Sequence, residues 1–258
     1  MPVQARNGAG CRRCRRFIQG APRARPRTFR LRSPPTALRK RIRREWKEVE
    51  VKKYVVEFIG TFFLVLTVGC TVIGNGAGMF APLAIGSVLM VMIFAGGHIS
   101  GGHFNPAVTL GVWLRGKCAA KDVAPYMISQ VIAAVLAAFA AKFLKGAATV
   151  TPLQPATVPA LFAEFLFTFA LVYVVLNTAT DKDTSGNSFY GVAIGFTVLV
   201  GAYSVGNISG GAFNPAVAMG LSVMGLSSWP NIWIYLVAGF AGGAVAAGAF
   251  RALNPADR

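Results

Sequence analysis

Few side chains in this 258-residue sequence have the type and spacing to do chemistry. Cys11 and Cys14 form a lone Cys-x2-Cys among arginines, without the second pair that would complete a zinc site. Cys70 falls in an apolar run and Cys118 in a polar stretch, so no disulfide framework is expected. His98 and His103 flank a Ser-Gly-Gly but have no carboxylate or thiolate partner in sequence, which makes a poor metal site and favours a loop-bracing role. Glu57 and Glu164 are acids inside apolar runs, where an ionisable group by default marks an ion or proton path. Asn-Pro-Ala occurs twice, as Asn105-Pro106-Ala107 and Asn214-Pro215-Ala216. No nucleophile stands with a base and an orienting partner, so an enzyme is not expected, nor any metal or cofactor.

The elements that must position these residues are membrane spans. The chain is 54% hydrophobic and 14% charged, with a mean hydropathy of +0.54. Soluble domains carry about 25% charged residues, so there is too little polar surface here for a water-soluble body. Charge is also segregated. Residues 1–53 hold 18 of the 26 Lys and Arg, and the remainder is nearly neutral. Between Lys53 and Arg115 the only charge is Glu57, and between Asp183 and Arg251 there is none. Spans of about 20 residues are predicted at Tyr54–Gly74, Pro82–Gly97, Val123–Ala141, Pro159–Thr180, Phe189–Val205 and Ile232–Phe250. Gly191 with Gly195, and Gly239 with Gly243, have the small-xxx-small spacing that lets helices approach closely in lipid. With the N-terminus in the cytoplasm, 24 basic residues fall inside against Lys142 and Lys145 outside; without the tail up to Glu50 the count is still 8 against 2. Both termini are therefore expected to be cytoplasmic.

The chain is internally repeated. GHISGGHFNPAVTLG, Gly97 to Gly111, returns as GNISGGAFNPAVAMG, Gly206 to Gly220, with 11 of 15 positions identical at an offset of 109. VEFIGTFFLVL around Glu57 returns as AEFLFTFALVY around Glu164, at an offset of 107. Each half reads as span, span, NPA segment, span. An odd number of crossings inverts the second copy, the plan of inverted-repeat transport proteins. Neither NPA segment is long enough to cross, but each has room for a short helix, with Pro106 or Pro215 at its first position. The preceding Ser-Gly-Gly supplies non-helical backbone, which at membrane depth must be buried in protein or line a wet cavity. Two such half-helices, entering from opposite faces, would bring their positive ends and two asparagine amides to one spot. The fold expected is an all-α membrane protein of six transmembrane helices plus two NPA half-helices. One glutamate per half, at matching positions, suits a scaffold for the irregular loops better than a proton path.

Duplicated NPA motifs after Ser-Gly-Gly, with a glutamate in the first span of each half, resemble the aquaporin (major intrinsic protein) family over about residues 52–254. The resemblance implies a right-handed bundle, a homotetramer in the bilayer and one pore per subunit. It also implies passive passage of water or small neutral solutes. Asn105 and Asn214 would each donate an amide hydrogen bond to a passing water, breaking the proton relay, while the half-helix dipoles repel cations. Counting from the two asparagines, the family's constriction falls on Ile85, Ala202, Gly211 and Val217. Water-specific members have an aromatic residue, a histidine and an arginine there. Glycerol-conducting members have an aspartate and a basic residue where Ala218 and Ser222 stand. This chain departs from both patterns, and a wide apolar ring without arginine is expected, passing water, urea, ammonia or at most glycerol-sized solutes.

Residues 1–51 read as a basic extension and 52–254 as the channel domain, with halves at about 52–145 and 158–254. The tail lacks acids up to Arg44 and is rich in Arg and Pro. Two accounts stand side by side. It is an organellar transit peptide, or the start is called too far upstream. Lys47-Glu48-Val49 can be encoded as a ribosome-binding sequence just before a GTG codon for Val51. The second implies a bacterial inner membrane, the first an organellar one, and either leaves residues 1–45 disordered. Without a folded module or spaced aromatics, the tail is not expected to bind nucleic acid. The alternative function is an inverted-repeat secondary transporter, which would need ion-coordinating groups at the midplane.

Overall fold

The computed structural model describes residues 36–257, and Arg44–Arg258 form one compact unit that holds the site. Cys11 and Cys14 lie outside the described residues. Helix α1 runs Thr36–Val72, beginning inside the basic extension, and its apolar spanning part is Val51–Val72. The other long helices are α2 (Ala81–Ser100), α4 (Ala120–Lys145), α5 (Thr157–Val175), α6 (Tyr190–Ser209) and α8 (Ile232–Leu253); a wider turn at Leu176–Thr180 continues α5. All six are long and apolar enough to cross a membrane. Among the described residues no strand forms; Leu153 and Ser227 make one isolated bridge.

Two short helices, α3 (Pro106–Leu114) and α7 (Pro215–Met224), have 9 and 10 residues. At 1.5 Å per residue each is about 15 Å long, half the hydrocarbon thickness of a bilayer. Proline at the first helical position starts both. Helix α7 ends at a left-handed cap at Gly225 (φ 79°). The expected ends of α2 at Gly97 and α6 at Val205 were early. Both helices persist to the serines and stop where Gly101 (φ 91°) and Gly210 (φ 95°) turn left-handed, a conformation glycine adopts without steric cost.

Small residues let these helices approach to backbone contact. On α4, Ala133, Ala134, Ala137, Ala138 and Ala141 are all fully buried. A Cβ on Gly195 would stand 2.5 Å from the carbonyl of Gly86, and one on Gly86 would stand 2.7 Å from the carbonyl of Gly195. These two glycines are 109 apart, the repeat offset, so α2 and α6 cross where the halves exchange. Gly243 packs in the same manner on the Ala107 carbonyl (2.7 Å), Gly191 against the Phe94 ring (2.7 Å) and Gly239 against Pro215 (3.4 Å). The outward faces carry large apolar side chains, with Ile128, Phe139 and Phe143 at 58, 58 and 86% exposure. Such a surface is suited to lipid, where dispersion packing rather than hydrophobic burial holds helices together.

Candidate functional site

The site is built where α3 and α7 meet end to end. Asn105 and Asn214 are the N-caps of the two half-helices, each with extended backbone. The cap fixes the side chain. Asn105 Oδ1 accepts from the Ala107 amide at 2.8 Å and Asn214 Oδ1 from the Ala216 amide at 2.9 Å. With its oxygen committed to the helix, each carboxamide must turn its NH2 the other way. One hydrogen of each goes across the junction: Asn105 Nδ2 donates to the Phe213 carbonyl and Asn214 Nδ2 to the Phe104 carbonyl, both at 2.9 Å. An NH2 group has two hydrogens, so each asparagine keeps one N–H, and both residues line the same cavity.

The loops leading into the caps are strained. Phe104 (φ 49°) and Phe213 (φ 48°) are left-handed although neither is glycine, a conformation that costs about 1–3 kcal/mol each. The two glutamates offset it. Glu57 accepts from Ser100 Oγ (2.7 Å) and from the amides of His103 (2.9 Å) and Phe104 (2.7 Å). Glu164 accepts from Ser209 Oγ (2.7 Å), Ala212 (3.0 Å) and Phe213 (2.7 Å). Both carboxylates are buried, at 0 and 1% exposure. Hydrogen bonds to a charged group contribute about 1.5–3 kcal/mol each, enough to hold the left-handed turn.

Several participants escape a reading of the sequence by residue type. Tyr126 and Tyr235 donate to the carbonyls of Ser100 and Ser209, both at 2.7 Å; they too are 109 apart, and that offset was the signal available. The first half has further bracing that the second lacks. Gln130 Nε2 donates to Glu57 Oε2 (2.8 Å) and to Thr109 Oγ1 (3.1 Å). Thr109 in turn donates to the Asn105 carbonyl, and His103 Nδ1 lies 3.1 Å from the same hydroxyl. His103 is buried in this network; His98 is exposed near the C-terminal end of α2 and, among the described residues, has no hydrogen bond. The counterparts of His103, Thr109 and Gln130 are Ala212, Ala218 and Gly239.

Ile85, Ala202, Gly211 and Val217 all line the cavity that holds the two asparagines, a space of about 360 Å³. Apart from the asparagines and His103, its polar lining is sparse: Thr151, Ser227 and Tyr235. A second cavity, of about 540 Å³, opens below α2 and α6 and is bordered by His98, Lys117, Asp181 and Lys182. Beside it Arg115, almost fully buried, donates to the Asp257 carboxylate (2.5 Å) and the Thr180 carbonyl (3.3 Å) and stacks over Phe250 at 4.5 Å. Lys182 completes this cluster with its backbone amide and ammonium on Asp257. Among the described residues, no three His, Cys, Asp or Glu gather as metal ligands.

Six spans with two half-helices joined at their N-termini define an integral membrane protein of the channel class. Comparison with known proteins agrees. The family model described as Major intrinsic protein matches residues 44–250, and the chain belongs to that family. It is 35% identical over 207 residues to Aquaporin NIP1-4 of Oryza sativa subsp. japonica, covering 76% of this chain and 74% of the relative. It is 36% identical over 217 residues to Glycerol uptake facilitator protein-like 6 of Lactiplantibacillus plantarum, covering 80% of this chain and all of the relative. The X-ray structure of the aquaglyceroporin from Plasmodium falciparum superposes with a TM-score of 0.67, covering 81% of this chain and 98% of that one; at 22% identity this speaks to the fold.

Proposed function

We propose that the protein is a passive pore for water and small uncharged solutes, of the size of urea, ammonia or at most glycerol, working as a homotetramer with one pore per subunit. The observation that carries this is the paired asparagines. Their amide oxygens are spent on the half-helices and one hydrogen each on the opposite loop, which leaves two N–H groups at one point of an otherwise apolar cavity. A water at that point accepts both through its oxygen and turns its own hydrogens away, toward the two mouths. Neighbouring waters then cannot pass a proton through it. The positive ends of α3 and α7 converge on the same point and repel cations. Glu57 and Glu164 accept hydrogen bonds from the loops and serve as scaffold, outside the path. Ile85, Ala202, Gly211 and Val217 form the outer constriction, wide and apolar, with no cationic side chain in it. Both termini face the cytoplasm, by the distribution of Lys and Arg; the membrane is a bacterial inner membrane where the chain starts near Val51, and an organellar one where the extension is a transit peptide.

Stopped-flow light scattering on proteoliposomes tests this, with separate sucrose, glycerol, urea and ammonia gradients. The expected result is flux that rises linearly with the gradient, needs no co-ion and leaves the proton permeability at the level of empty liposomes. Saturable uptake coupled to an ion gradient would replace this reading with a secondary transporter.

A further inference from the structure

We infer that the narrowest part of the path is a second, inner ring made by Ile93, Ile194, Gly102 and Val108, and that Ile93 sets the upper limit on solute size. The inference rests on the pore reading above. It starts from the repeat: the offset of 109 that relates the two NPA segments carries Ile85 onto Ile194, and carries Ile93, Gly102 and Val108 onto Ala202, Gly211 and Val217. An inverted duplication therefore builds the ring twice, once on each side of the asparagines. All eight residues line the cavity.

The two rings differ at one position. The outer has Ala202 where the inner has Ile93, and isoleucine carries three more carbons than alanine. The frame around them is the same, because Gly86 and Gly195 lock α2 and α6 together one residue away from Ile85 and Ile194. On equal frames, the ring with two isoleucines is the tighter. The cavities point the same way. The space holding the asparagines and the space at the inner mouth share only Ile93 and Ile194 in their linings, so the path is pinched between these two side chains. Pore diameter and the polarity of its lining decide what passes. An apolar pinch of this kind holds back a solute by size and by the hydration it must shed there.

The test compares proteoliposomes of wild type, Ile93→Val, Ile93→Ala and Ile85→Ala at equal reconstituted protein, reading glycerol and water permeability in each. The expected result is a severalfold rise in the glycerol-to-water ratio for Ile93→Ala, an intermediate rise for Ile93→Val, and a smaller one for Ile85→Ala. In the Ile93→Ala background, Ala202→Ile restores a tight ring on the outer side and lowers the ratio again. The inner ring is refuted if Ile85→Ala raises the ratio more than Ile93→Ala. It is refuted equally if both Ile93 variants keep the wild-type ratio while passing water normally. Should Ile93→Ala fail to reconstitute, Ile93→Val, which removes one methyl-sized group, decides by the same comparison. Flux at the level of empty liposomes in every variant overturns the pore reading itself, an outcome distinct from an unchanged ratio in conducting vesicles.

Discussion

Gln130 donates to Glu57 at 2.8 Å, and nothing corresponds to it in the second half, where Gly239 stands in its place. Glu57 thus carries four donors and Glu164 three. Gln130→Leu reduces Glu57 to the complement Glu164 already has, and is expected to cost about 1–3 kcal/mol. Glu57→Gln turns an NH2 against backbone amides that need an acceptor and is expected to cost more. Thermal unfolding in detergent should rank the three proteins as wild type, Gln130→Leu, Glu57→Gln; the reverse order of the variants contradicts the scaffold role.

Asn214→Asp keeps the cap but removes the donor to the Phe104 carbonyl, 2.9 Å away. It sets a carboxylate against the converging half-helix ends, each equivalent to about half a positive charge. Proton or sodium flux into proteoliposomes is expected to rise above the wild-type baseline while water permeability persists. An unchanged cation flux in a stable, conducting variant would remove the dipoles from the account of exclusion.

Val217 is buried at 6% exposure and lines the cavity. Val217→Arg places an obligate cation with five donors in the ring proposed as the constriction. Urea and ammonia permeability are expected to fall more than water permeability. An unchanged urea-to-water ratio in a stable protein would mean that Val217 does not face the path.

Gly195 tolerates no side chain, because a Cβ there meets the Gly86 carbonyl at 2.5 Å and the Met90 Cβ at 2.8 Å. Gly195→Val is expected to prevent assembly of a stable protein, whereas Gly186→Ala, at a loop position with nothing within 4 Å, is expected to lose only about 1 kcal/mol through its left-handed φ of 79°. Yield of folded protein and melting temperature compare the two.

The Asp257 carboxyl is buried, which alone would raise its pKa; hydrogen bonds from Lys182 and the guanidinium of Arg115 outweigh this and hold it down at about 2. A depressed folded pKa means stability that is present above the ordinary carboxylate pKa and is lost as pH falls, here between about pH 4 and pH 2. Asp257→Asn should lower the melting temperature at neutral pH and flatten that acid limb. The same acid limb in the variant would assign it to another group.

Much of this architecture was legible in the residues. Two Asn-Pro-Ala segments preceded by Ser-Gly-Gly, with Glu57 and Glu164 at matched positions, are enough to place half-helices, loops and scaffold. Span ends were less legible, because Gly97 and Gly206 look like breakers yet stay helical, and the turn waits for Gly101 and Gly210. The lateral contacts were hidden for a different reason. Tyr126, Tyr235 and Gln130 reach the loops from helices distant in sequence, and their side chains have no motif of their own; only the repeat offset betrays the tyrosines. Arg115 read as one loop charge among several, since its partner Asp257 lies 142 residues away. His98 and His103 were paired by proximity in sequence, whereas the helix end between them sends His103 into the bracing network and His98 to the border of the second cavity.

The contact between Gly86 and Gly195 has a consequence for how such a pore changes over generations. Ile85 and Ile194 stand beside these glycines, on helices that can come no closer and gain nothing by separating. The wall around the bore is therefore inelastic, and a new side chain in the lining is not absorbed by a shift of backbone. On the pore reading proposed above, each exchange among the eight ring positions converts almost directly into free cross-section. A lineage can in this way reach a different cargo by one or two codon changes while the framework, and the proton barrier proposed for it, stay as they were.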